Sequence, residues 1–241
     1  MNILSIGNSF SQDAHRYLHK IAESAGYELN SYNLYIGGCP LSRHHELMMT
    51  NEKAYEFEIN GVTPGELVSL DEAITKCEWD IITVQQVSQD SPHFETYEPY
   101  LTELVEYVRK CVPNAKIAIH QTWAYEDGSE RMTEIAKYNS HQEMFRDIES
   151  AYKKAYDTID ADFLIPSGKL FENMLANGIE KVHRDTFHAR YGLGRYALGL
   201  LWYTVLTGRD IKDVAFNDFD EPVTDEEIKI VRECVTKTVF Q

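Results

Sequence analysis

Five short apolar runs punctuate this chain, and nearly every one gives way to a helical period. The runs are Asn2–Ile6, Glu28–Ile36, Trp79–Val84, Lys116–His120 and Phe163–Ile165. Runs of this length, bounded by glycine and polar clusters, read as strands. Strands that alternate with helices imply a parallel sheet covered by helices on both faces. The crossovers of such a sheet are right-handed. Its ligands bind beyond the carboxyl ends of the strands. Ser9, Gly37-Gly38, Gln85-Gln86 and Trp123 each follow a strand end, so they are expected to gather on one edge.

The helical stretches fill the gaps. Gln12 to about Ala25 keeps Tyr17, Leu18, Ile21, Ala22 and Ala25 in helical register. Tyr100–Val112 does the same, and a longer stretch from roughly Met132 to Ile159 is expected to break near Asn139-Ser140. Lys169–Ala176, the almost wholly apolar Tyr191–Leu206 and Asp225–Thr238 complete the set. One segment interrupts the alternation. Tyr55–Ile59 alternates strictly and runs into Asn60-Gly61, a hairpin signal. We read about 50–68 as an insertion carrying a small hairpin. With 241 residues, the chain is expected to form a single domain over 1–241.

The formal net charge of −16 repels nucleic acid and anionic membranes, so neither is an expected partner. No run approaches the length of a membrane span. No basic region followed by a long apolar one opens the chain, which points to a cytoplasmic protein; a removed signal replaced by a methionine would leave the same start. Cys39, Cys77, Cys111 and Cys234 are scattered without a CxxC pair, and are expected as free thiols.

The chemistry concentrates at the two ends. Gly7-Asn8-Ser9 breaks the first strand, and a helix follows. A helix N-terminus favours a developing negative charge. Ser9 there is either a nucleophile or, like Ser11, a helix cap. Far downstream stands His183-Arg184-Asp185-Thr186-Phe187-His188. Asp185 and His188 are three apart in one loop and can meet at one site. Acyl transfer needs a nucleophile, a base, an orienter and oxyanion donors. Ser9, His188 and Asp185 supply the first three. Ser9 N–H, Gly38 N–H and a glutamine amide supply the last. Trp123 and Tyr125 are either a platform for a sugar or packing. Two other readings stay open: a metal-dependent hydrolase built on His183, Asp185 and His188, with His120, and a catalytically silent binding module.

These blocks resemble those of the SGNH (GDSL-type) hydrolases. Gly7-Asn8-Ser9-Phe10-Ser11 resembles the nucleophile block, Gly37-Gly38 the second block, and Asp185-Thr186-Phe187-His188 the final Asp-x-x-His block. The chain departs twice. It has Gly-Asn-Ser for Gly-Asp-Ser, and Val84-Gln85-Gln86-Val87-Ser88 where Gly-x-Asn-Asp is usual. In this it is similar to an uncharacterised bacterial branch of the superfamily, and to carbohydrate acetylesterases of the sialate-esterase type. The resemblance implies a flavodoxin-like three-layer α/β/α sandwich with a parallel five-stranded sheet in order 2-1-3-4-5. It implies ester hydrolysis without metal or cofactor, with Ser9, Asp185 and His188 as the triad. Gly38 and Gln85, with Gln86 as the rival to Gln85, would join Ser9 as oxyanion donors; Gln86 and Trp123 are otherwise expected to line the binding site. The expected substrate is a small-molecule or carbohydrate ester with a short acyl group, acetyl first.

Overall fold

A computed structural model describes residues 1–240. Strand β1 (Asn2–Gly7) leads into helix α1 (Ser9–Ser24), and β2 (Asn30–Tyr35) into α2 (Leu41–Thr50). Strands β3 (Tyr55–Ile59) and β4 (Leu67–Val68) precede the short α3 (Leu70–Ile74) and β5 (Ile81–Val84). The rest is α4 (Tyr100–Cys111), β6 (Lys116–Gln121), α5 (His141–Thr158), β7 (Phe163–Pro166), α6 (Ser167–Ala176), α7 (Leu193–Thr207) and α8 (Asp225–Phe240).

One mixed sheet has the order β4-β3-β2-β1-β5-β6-β7, with helices on both sides. Strands β2, β1, β5, β6 and β7 pair in parallel, while β3 and β4 run antiparallel at the β2 edge. The sheet is therefore seven-stranded and mixed, which corrects the expectation of a five-stranded parallel one. The insertion supplies the two extra strands. Asn60 and Gly61 take φ of 51° and 76°, which turns the chain from β3 back towards β4, while β3 lies along β2 with Leu34 opposite Phe57. A buried carboxylate fixes the junction: Glu58 accepts from Asn33 Nδ2 at 2.8 Å and from Gln12 Nε2 of α1 at 2.5 Å.

Ile3, Leu4 and Ile6 of β1 are buried at the middle of the sheet. Helix α1 covers them with Phe10, Ala14, Leu18, Ile21 and Ala22, all buried, and packs on α7. Each large aliphatic side chain so buried contributes about 1.5–3 kcal/mol. The helix begins earlier than its apolar period suggests, because Asn8 caps it. The Asn8 side chain accepts from Phe10 N–H, and Ser11 Oγ accepts from Asn8 N–H. Gly7 is needed for this turn: a Cβ there would lie 2.1 Å from Ser11 Oγ. Downstream, the helix expected from Met132 starts only at His141, where Ser140 caps it; Arg131–Ile135 forms a single π turn instead. No helix among the described residues is long and apolar enough to cross a membrane.

Candidate functional site

The parallel strands bring Ser9, Gly38, Gln85, Gln86 and Trp123 to the sheet edge at their carboxyl ends. Ser9 is the first residue of α1, and its Oγ lies 2.8 Å from His188 Nε2. His188 Nδ1 lies 2.7 Å from Asp185 Oδ2. A carboxylate only accepts, so Nδ1 carries the proton and Nε2 accepts from the Ser9 hydroxyl. Asp185 Oδ1 also accepts from the N–H groups of His188 at 2.9 Å and Phe187 at 3.4 Å. Partial burial pushes the Asp185 carboxyl up, but the hydrogen bonds from His188 outweigh it and hold the group below its usual range. Thr186 completes the turn at φ +80°, a strained setting for a β-branched residue. A hydroxyl bonded to a neutral, carboxylate-oriented imidazole is able to pass its proton to nitrogen as the oxygen attacks a carbonyl.

Several contacts lock this loop to α1. Asp13 is fully buried one helical turn beyond Ser9. It accepts from Arg184 Nη1 at 2.8 Å, from Ala189 N–H at 3.2 Å and from Arg195 Nε at 2.9 Å. Arg184 and Ala189 flank the Asp185–His188 turn. Trp123 Nε1 donates to Phe187 O at 2.7 Å, and Glu126 N–H donates to Thr186 O at 2.8 Å. Phe187 packs against the His188 ring at 3.8 Å with the planes tilted, and Phe10 stacks on Trp123 at 4.1 Å. Sequence reasoning missed Asp13 and its two arginines. A carboxylate in the middle of an apolar helix face was the available signal.

Gly38 sits in a turn closed by Cys39 N–H to Ile36 O, at φ +63°. Asn8 Nδ2 donates to Cys39 O at 3.2 Å, which ties this turn to the residue before Ser9. Among the described residues, neither Ser9 N–H nor Gly38 N–H finds an acceptor. Ser9 N–H remains open as a donor at the N-terminus of α1, and Gly38 N–H in the turn after β2.

The glutamines are not arranged as expected. Gln85 is buried; its Nε2 donates to Asn8 Oδ1 at 2.7 Å, and its Oε1 accepts from His120 Nδ1 at 2.8 Å. Its amide is occupied in holding the helix cap, so it is not a free oxyanion donor. Gln86 is buried as well. Its Oε1 accepts from Leu41 and Val87 N–H, and its Nε2 donates to Thr96. It fastens α2 to the segment after β5 and offers nothing to a substrate. Trp123 and Tyr125 have no exposed surface, so neither is a platform for a sugar. They form the wall behind the His188 loop.

The suggested metal ligands do not assemble either. His120 is buried between Gln85 and Ser167 Oγ, and burial pushes it down to about 3. His183 donates from Nε2 to Ala124 O at 2.9 Å; burial lowers it to about 4. Among the described residues, no three His, Cys, Asp or Glu side chains converge as a ligand set. A cavity of about 1060 Å³ opens at the opposite sheet edge, between Asn2, Trp79, Asp80 and Lys116, away from Ser9 and His188.

No curated protein matches the sequence. Among solved structures, a DUF4886 family protein from Bacteroides uniformis is 30% identical, with a TM-score of 0.89 over 99% of this chain and 94% of that one. A protein from Slackia heliotrinireducens assigned to the SGNH hydrolases is 20% identical, with a TM-score of 0.63 over 86% of this chain and 98% of that one. An acetyl xylan esterase from Geobacillus stearothermophilus is 13% identical, with a TM-score of 0.54 over 93% and 97%. The last two likenesses establish the fold, an α/β sheet of the SGNH hydrolase type. The family model "Domain of unknown function (DUF4886)" covers residues 2–237, and the chain belongs to that family.

Proposed function

We propose that this protein is a metal-independent serine esterase that removes short acyl groups, acetyl foremost, from a small-molecule or carbohydrate ester. The reading is carried by the two hydrogen bonds through His188, 2.8 Å to Ser9 Oγ and 2.7 Å to Asp185. Ser9 Oγ attacks the ester carbonyl while His188 Nε2 takes its proton. Asp185 stabilises the resulting imidazolium. The oxyanion faces the start of α1, where Ser9 N–H is free to donate, and Gly38 N–H, free in the turn after β2, is its second donor. One such donor is worth about 2.7–4 kcal/mol in the transition state. The tetrahedral intermediate collapses, and the departing alcohol takes the proton from Nε2. Water then attacks the acyl-enzyme, with His188 as base again. An acetyl xylan esterase among structures of the same fold supports the choice of acyl group.

The test is turnover of p-nitrophenyl acetate by the wild type and by Ser9→Ala, with folding checked by circular dichroism. Ser9→Ala is expected to abolish turnover, and EDTA to leave the wild type unaffected. A fluorophosphonate is expected to label Ser9. Undiminished hydrolysis by Ser9→Ala overturns the reading.

A further inference from the structure

Phe187 joins the imidazole to a second charged group. Its ring packs against His188 with centroids 3.8 Å apart and the two planes tilted by 38°. The Arg131 guanidinium carbon lies 3.6 Å from the same ring's centroid and 5.7 Å from that of Tyr125. One phenyl ring thus touches both the guanidinium and the base. Arg131 opens the single π turn between β6 and α5, and such turns recur at functional sites.

Arg131 differs from the arginines around it. Arg184 and Arg195 hold Asp13, and Arg190 holds Glu227. Among the described residues Arg131 enters no ion pair, and its Nε is buried without a hydrogen-bond partner. Stacking on Phe187 uses the face of the guanidinium and leaves its N–H groups at the edge, fixed in direction.

We propose that Arg131 sets specificity by receiving a carboxylate carried on the alcohol part of the ester. This rests on the esterase reading. His188 must reach the leaving oxygen to protonate it, so the group beyond that oxygen lies near His188 and its neighbour Phe187. Arg131 packs on that same Phe187 ring. The planar fork of the guanidinium matches the two oxygens of a carboxylate. A single charge also suits a chain of net charge −16, whose field opposes polyanions.

The experiment uses matched esters: 4-acetoxybenzoate against 4-acetoxybenzamide, and acetylated glucuronate against identically acetylated glucose. A charge-assisted contact predicts that the wild type prefers the carboxylate of each pair by about ten- to hundredfold in kcat/KM, mostly through KM. In Arg131→Met the ratio within each pair is expected to fall to near one, and Arg131→Lys to restore it in part. Preference in only one pair identifies whether the acid is aromatic or sugar-borne. A ratio near one in the wild type, or an unchanged ratio in Arg131→Met, overturns the inference while leaving Ser9-dependent turnover intact. Ser9→Ala is run beside them: retained hydrolysis there sinks the esterase reading itself. Binding gives a second readout. Benzoate or glucuronate is expected to slow fluorophosphonate labelling of Ser9 where benzamide and glucose do not, and Arg131→Met to remove the difference. Equal protection, or none from either acid, also overturns it.

Discussion

Ser9 and Asp13 stand one turn apart on α1, and the same loop answers both. Ser9 Oγ meets His188, while the Asp13 carboxylate takes Arg184 and the Ala189 N–H on either side of the Asp185–His188 turn. The helix therefore sets the distance between hydroxyl and imidazole as well as presenting the hydroxyl.

Replacing Asp13 by Asn is expected to loosen that distance. Removing one partner from a buried ion pair costs about 3–5 kcal/mol, a fall in Tm of roughly 10 °C for a chain of this size. The rate of Ser9 phosphonylation is expected to fall by at least tenfold. Asp220→Asn is the control. Asp220 accepts from Arg195, Gly192 N–H and Tyr17, but does not touch the loop. A comparable loss of Tm with little loss of labelling rate is expected for it. Equal labelling rates in the two variants would show that Asp13 acts only on stability.

Gln85→Ala separates a strut from an oxyanion donor. The change leaves His120 Nδ1 without its partner, while Asn8 Oδ1 loses one of two donors and keeps Phe10 N–H. An unsatisfied buried group costs about 1–3 kcal/mol. Tm is expected to drop, while kcat falls by less than the roughly hundred- to thousandfold typical of a lost oxyanion donor. A loss of that size at unchanged Tm returns Gln85 to the oxyanion site.

Asp185→Asn tests the tautomer. The carboxylate accepts from His188 Nδ1–H and so keeps Nε2 free for Ser9. An amide can present its NH2 to Nδ1 and favour the wrong tautomer. Esterase kcat is expected to fall by about 10²-fold or more, with folding retained. A loss under threefold contradicts the assigned role.

Stability is expected to peak near neutral pH. Burial lowers His15, His44 and His120 to about 3, and His183 to about 4, against about 6.5 unfolded. Groups depressed in the fold contribute stability above 6.5 that is lost as pH falls towards 4. Each then costs up to about 1.4 kcal/mol per pH unit. His141 works in the opposite direction. Burial pushes it down, but Glu172 and the Tyr125 carbonyl more than compensate, so it ends above its usual value. Its share is present below 6.5 and is lost as pH rises through the folded value. Urea midpoints at pH 8, 7, 6 and 5 check this. A flat profile between 6.5 and 5 would contradict the four neutral histidines.

The strands were legible because an apolar run between breakers has few other uses. Ser9, Asp185 and His188 were legible because three residues in two short segments carry the whole pattern. The glutamines were not. A strand end fixes where Gln85 and Gln86 start, but an amide reaches whatever buried partner is nearest, here Asn8, His120, Leu41 and Thr96. Trp123 and Tyr125 failed for a related reason. An aromatic after a strand packs inward or faces solvent according to the loop that covers it, and the covering loop lies some 60 residues later at Phe187. The edge pairing of β3 with β2 was hidden too, since a hairpin signal names its own two strands and not a third.

The hydroxyl and the imidazole lie 179 residues apart in sequence. A ribosome must therefore make nearly four-fifths of the polypeptide before hydroxyl and imidazole coexist, and on the proposed reading any nascent fragment ending short of His188 carries a serine without its base. Order of synthesis alone would then keep the proposed centre silent until the polypeptide is nearly made.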